Sequence, residues 1–180
     1  MSRHWQFSGT YTLSFFKDGN PAAVFGPTLQ TPNFPLVQDF GPEYGYATTD
    51  QRHRAVFNGI WDLGYGFQLS GLYFYGSGQR FATTYGGGDR PRLRPNGTIV
   101  ARNDVVGLPL HRVDVRLTRR FKLGGQRSAD GILETYNLFN HANYGSYTTA
   151  ESNPSYGQPT QNTALAYQPR MVQLGFRIGF

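Results

Sequence analysis

The 180-residue chain has no cysteine. That excludes a disulfide framework and thiol chemistry, and with them redox catalysis at sulfur. It has only 2 lysines against 15 arginines, and 11 acidic residues in all. No run approaches the ~20 apolar residues of a membrane helix. Apolar residues make up 38% of the chain, below the usual ~45–50% of a globular domain. Four histidines, His4, His53, His111 and His141, stand in separate segments with no H-x3-H or HExxH spacing, so no zinc-hydrolase pattern is present. The carboxylates Asp50, Asp62, Asp114 and Glu134 are likewise dispersed. No catalytic pair is expected, and neither is a cofactor or a metal. Gly86-Gly87-Gly88-Asp89 lacks the lysine of a phosphate-binding loop. The net charge of +6 raises nucleic acid as a partner, but no helix-turn-helix, zinc finger or RNA-binding pattern accompanies it. A non-enzymatic protein that does not bind nucleic acid is expected.

What the chain does have is aromatics, glycine and alternation: 14 Phe, 12 Tyr, 2 Trp and 23 Gly. The closing stretch sets Val172, Leu174, Phe176, Ile178 and Phe180 against Gln173, Gly175, Arg177 and Gly179. Such alternation gives a strand one apolar and one polar face. A spanning strand of a membrane barrel needs only about 9–11 residues, alternate ones apolar. Similar runs are expected over 3–16, 54–63, 67–77, 111–121 and 130–140, with the last at 171–180. In 130–140, Glu134 and Asn137 fall on opposite faces and the facing stays open. Arg119 shares the apolar face of its run.

Connections alternate in length. Short turns are expected around Gly64-Tyr65-Gly66 and Gly124-Gly125, and long loops over 17–51, 78–110 and 141–169. Loops of that length are uncommon in compact soluble domains. They are ordinary in outer-membrane barrels, where short turns face the periplasm and long loops face outside. On that topology Trp5, Trp61, Phe67, Phe121 and Phe180 fall near the periplasmic edge, and Phe15, Tyr73 and Tyr75 near the outer edge. Two interfacial aromatic girdles follow. Arg80, Arg90, Arg92, Arg94 and Arg102 collect in the second long loop. They are candidate contacts for an anionic substrate or for lipopolysaccharide phosphate, since a guanidinium binds phosphate bidentately. The bland alternative is a solvated loop. An all-β antiparallel meander of about six transmembrane strands is therefore expected, with a soluble β-rich carbohydrate-binding module or a small stand-alone adhesin-like barrel as alternatives.

Several stretches carry a resemblance. Asp50-Gln-Arg-His-Arg54, Phe67-Gln-Leu-Ser-Gly71, Gly76-Ser-Gly-Gln-Arg-Phe81, Tyr136-Asn-Leu-Phe-Asn140 with His141-Ala-Asn-Tyr144, and Pro169 to Phe180 look like the C-terminal barrel of TonB-dependent outer-membrane receptors, Oar-like group. The resemblance implies the last part of a barrel of about 22 strands, located in the outer membrane of a Gram-negative-type bacterium. It implies lipid and lipopolysaccharide around the wall, TonB reached only through an N-terminal plug outside this sequence, and an imported nutrient the residues do not name. It also implies that Val172, Leu174, Phe176, Ile178 and Phe180 form the strand read by the barrel assembly machinery, by strand addition. The first residues, Met-Ser-Arg-His-Trp-Gln-Phe, lack the apolar core of a signal peptide, which fits a piece of a longer chain.

Overall fold

The computed structural model describes residues 4–19, 44–87, 91–160 and 168–180. Among these residues ten strands occur: β1 (Trp5–Leu13), β2 (Lys17–Asp18), β3 (Gly45–Tyr46), β4 (His53–Gly64), β5 (Phe67–Gly76), β6 (Arg80–Phe81), β7 (Val105–Val106), β8 (Leu110–Gly124), β9 (Arg127–Tyr136) and β10 (Met171–Gly179). No helix occurs among the described residues. Six strands form one antiparallel sheet in the order β1-β4-β5-β8-β9-β10. This is a simple meander, each long strand beside the next. The sheet does not close on itself, so β1 and β10 are both edges among the described residues.

The hairpins are set by glycine. Between β4 and β5, Gly64, Tyr65 and Gly66 all have positive φ (81°, 52° and 80°). Two central residues with φ > 0 match the strand twist and close a two-residue turn. A side chain on Gly66 would also collide with the backbone carbonyl of Arg120. Gly124 and Gly125 perform the same function between β8 and β9. Each hairpin carries a register shift beside its turn, at Asp62/Gly64 and at Lys122/Gly124.

Register sorts the side chains into two faces, because side chains alternate along every strand. Trp5 pairs with Trp61, Trp61 with Leu69, Leu69 with Leu117, Leu117 with Leu133 and Leu133 with Leu174. That row crosses the whole sheet on the apolar face. The opposite face carries Gln6, Asn58, Ser70, Arg116, Glu134 and Gln173. Leu133 and Glu134 thereby settle the facing of β9, which the sequence left open.

Three expectations are corrected. The strand read over 130–140 runs instead over Arg127–Tyr136, and Asn137 and Asn140 take positive φ of 50° and 53°. The Asn-Leu-Phe-Asn segment is a turn, and the phase breaks there. The first strand ends at Leu13 rather than 16, so Phe15 leaves the sheet and lies under the Arg52 guanidinium, 4.0 Å from its ring centroid. The long loops contain two short ribbons, β2 with β3 and β6 with β7.

Burial is inverted relative to a soluble sheet protein. Phe176 and Leu174 are 83% and 81% exposed. Apart from Ala55 and Asp130, the buried residues named by burial lie beyond the sheet or at its rim: Ala47, Asp50, Thr83, Val100, Arg102, Asn103, Val105, Leu110 and Tyr147 among them. The described parts of the three long excursions therefore pack into a cap at one end of the sheet, and both short turns lie at the other.

Candidate functional site

The polar face carries a ladder of charges on β8. Arg112, Asp114, Arg116, Thr118 and Arg120 alternate with apolar residues and point to one side. Arg112 Nε donates to both oxygens of Asp114, at 2.8 and 2.9 Å. Arg116 reaches across to Glu134, Nε to Oε1 at 2.7 Å. Asp130 accepts from Arg120 of β8 at 2.8 Å and from Arg177 of β10 at 3.0 Å. One carboxylate thus ties three neighbouring strands. Asp114 is flanked by Arg112 and Arg116 but balances only the first, since Arg116 is taken by Glu134. It pairs with Arg112 and accepts the backbone N–H of Asn137 at 3.0 Å.

The cap is bound to the sheet by polar ties. Asp50 accepts from the Phe16 N–H at 2.8 Å and faces Arg52 and Arg80 at 3.8 and 3.5 Å. The Tyr46 ring lies between those two guanidiniums, 4.9 and 4.2 Å away. Asn103 Nδ2 donates to Tyr46 O at 2.8 Å, and Arg102 pairs with Asp18, joining the first excursion to the second. Arg94 pairs with Glu151 at 2.7 Å, and Leu108 N–H donates to the Tyr147 hydroxyl at 2.6 Å, joining the second to the third. The hydrogen bond to Glu151 raises the Arg94 pKa, and burial lowers that of Arg102.

Four of the five loop arginines picked out from sequence are therefore placed. Arg80 and Arg102 tie the first excursion to the second, Arg94 ties the second to the third, and Arg92 donates to Val100 O at 3.0 Å within the second. Arg90 lies outside the described residues. The five residues of the closing strand have one common setting: Val172, Leu174, Phe176 and Ile178 project from the apolar face of edge strand β10, and Phe180 follows it, 93% exposed.

The outer ring band expected at Tyr73 and Tyr75 is present on the apolar face beside the cap, and sequence reasoning missed the histidines that join it. Tyr11 and His53 share a hydrogen bond of 2.7 Å, and Tyr73 and His111 one of 3.1 Å. The His111 and His141 rings meet edge to face, 5.1 Å apart. Residues about 40 positions apart in sequence come together only through the strand register. Among the described residues no group of three or more His, Cys, Asp or Glu could hold a metal ion. At the short-turn end Trp5, Trp61, Phe67 and Phe121 share the same apolar face. The Arg119 guanidinium stacks between Phe67 and Phe121, 4.7 Å from each ring.

A meander with an outward apolar face, rings at both of its ends and a charged reverse face is the pattern of a barrel wall in lipid. Residues 91–173 match the family model of an outer membrane beta barrel domain. The match runs from the second excursion through β7, β8 and β9 into the start of β10. No curated protein and no solved structure matches the chain. No helix among the described residues is long and apolar enough to cross a membrane, which bears only on helices. An outer membrane beta barrel domain implies the outer membrane of a Gram-negative bacterium. In a wall of that kind the apolar face meets lipid and the charged face lines the lumen.

The lumen side of the cap contains a hollow of about 460 Å3. Arg54 of β4, Phe74 of β5 and Arg112 of β8 form its wall, with Gln51 and Gln79 from the excursions.

Proposed function

We propose that the chain forms the C-terminal part of the barrel wall of a TonB-dependent outer-membrane transporter, supplying wall and external loops for energised nutrient uptake. The observation that carries this reading is the two-faced sheet with every long excursion at one end. A wall in lipid needs an apolar outer face, and a transport lumen needs a wet, charged inner one. The Asn-Leu-Phe-Asn turn and the closing strand, together with the wider resemblance, support this type of barrel over a small stand-alone one. The excursions are then the external side, against lipopolysaccharide, and the glycine turns are periplasmic. No catalytic role is assigned. The energised step belongs to a plug and to TonB, outside these residues.

In this reading β10 is the strand on which the assembly machinery acts. Its edge offers backbone groups for strand addition, and Val172, Leu174, Phe176, Ile178 and Phe180 give the side-chain pattern. The test is fractionation of a Gram-negative host expressing the full-length gene, with and without Phe180. The intact protein should sediment with the outer membrane, and deletion of Phe180 should lower its yield several-fold. An unchanged yield would remove the assembly role. Recovery of the intact protein in the soluble fraction would remove the barrel reading itself.

A further inference from the structure

We infer that the hollow beneath the cap is a binding site for a small polyhydroxylated organic anion, a sugar carboxylate or sugar phosphate. Its residues come from three neighbouring strands and from all three excursions, so the register holds them rather than one flexible loop. Its volume of about 460 Å3 lies within the roughly 300–1,000 Å3 of small-molecule sites.

Charge selects the ligand's sign. Arg112 in the wall is matched by Asp114, with two hydrogen bonds between them. Among the described residues Arg54 has no carboxylate within ion-pair distance, and its guanidinium makes no hydrogen bond. Its one contact is with the Phe74 ring, 5.6 Å from the centroid. The hollow therefore carries one uncompensated positive charge, on a planar fork with five donors suited to carboxylate or phosphate.

Shape and polarity select the ligand's body. Phe74 and Leu72 form an apolar floor, against which the C–H face of a sugar ring can lie. Gln79 contributes a side-chain amide with no hydrogen bond among the described residues. Gln51 donates its Nε2 to Ser77 O at 3.0 Å, which anchors the amide and leaves its carbonyl oxygen as an acceptor for a hydroxyl. A donor fork, an acceptor and a further amide around an apolar floor recognise an anion bearing hydroxyl groups. Hydroxyl and anion must both be present for every group to find a partner.

The site rests on the transport reading only for its use as a station in transit; its binding chemistry stands without it. The test is isothermal titration of the full-length protein, purified in detergent micelles from the outer membrane of its host, with galacturonate, glucose 6-phosphate, inorganic phosphate and galactose. Galacturonate or glucose 6-phosphate should bind at least tenfold more tightly than galactose, and the tighter of the two identifies the anion. Arg54→Gln should abolish that tenfold preference, and Arg54→Lys should retain part of it. Phe74→Leu should weaken the sugar anion and leave inorganic phosphate unchanged. Arg127→Gln, at the short-turn end, should change nothing. Near-ultraviolet circular dichroism checks the fold of each variant. Equal affinity for galactose and galacturonate overturns the proposal, as does an unchanged preference in Arg54→Gln. Fractionation and energised uptake are read in separate experiments, so a failure of binding is distinguishable from a failure of the transport reading.

Discussion

Replacing Asn137 separates two causes that one residue combines. Its backbone has φ of 50°, a conformation that costs an L-residue without a helpful side chain roughly 1–2 kcal/mol. Its side chain is buried and makes three hydrogen bonds. Nδ2 donates to His141 O at 2.9 Å and to Gln168 O at 3.0 Å, and Oδ1 accepts from His141 N at 3.0 Å. These bonds hold the start of the third excursion to its end, just where β9 hands over to β10. At about 1 kcal/mol net per bond, Asn137→Gly should cost about 3 kcal/mol, since glycine takes the positive φ freely. Asn137→Ala loses the same bonds and adds the backbone cost, so it should be the worse by about 1 kcal/mol. Asn137→Asp keeps an acceptor, loses both donors and sets a second carboxylate near Asp114, whose Oδ1 accepts the residue 137 N–H. The assay is urea unfolding of the refolded chain in detergent, followed by circular dichroism. Alanine as stable as glycine would refute the backbone argument. A glycine variant within about 0.5 kcal/mol of the parent, well below the net value of even one such bond, would refute the hydrogen-bond argument.

Depth on the lipid face gives a second prediction. Leu117→Arg places a charge in the row that crosses the middle of the sheet and should cost about 2–4 kcal/mol on refolding into phospholipid vesicles, whereas Arg119→Leu, near the short-turn edge, should change stability by about 1 kcal/mol or less. Equal costs at the two positions would mean that this face does not meet hydrocarbon. Asp50→Ala should loosen the cap without unpairing the sheet. It strands the Phe16 N–H and leaves Arg52 and Arg80 facing each other across Tyr46, so protease cleavage within the excursions should quicken while amide protection in β4 and β5 holds. Loss of protection in both at once would show that cap and sheet unfold together.

The sheet was legible in the sequence where alternation is long and clean. Residues 5–13, 112–118 and 171–179 each show it, and one residue of slip would turn a whole strand inside out. Asn137 shows the limit. It follows the strand-like run Gly131–Tyr136 without a glycine or proline to mark an end, so the run reads on to 140. Only the positive φ at 137 and 140 reveals a turn. The two-residue ribbons are too short to carry any period. The placement of Asp50 and Arg102 was beyond sequence reading for a different reason. Their partners Arg80 and Asp18 lie on other excursions, and charge alone does not say which arginine meets which carboxylate. Arg54 belongs to the same class: the number of arginines is plain from composition, but which one lacks a carboxylate emerges only from the register.

Cap and sheet answer to different solvents, and the edges show why the wall must continue. The cap buries Val100, Leu110 and Tyr147 and pairs its charges, as a domain in water does. The sheet leaves Phe176 and Leu174 in the open, as a barrel wall does toward lipid. Hydrocarbon also supplies no hydrogen bonds, so a backbone N–H or C=O left unpaired there costs several kcal/mol, on the order of its transfer energy. Along β1 and β10 a row of such groups faces outward from the sheet. The lipid face that explains the exposed side chains therefore forbids the two bare edges. In a wall of that kind each of these edges has to find a strand partner.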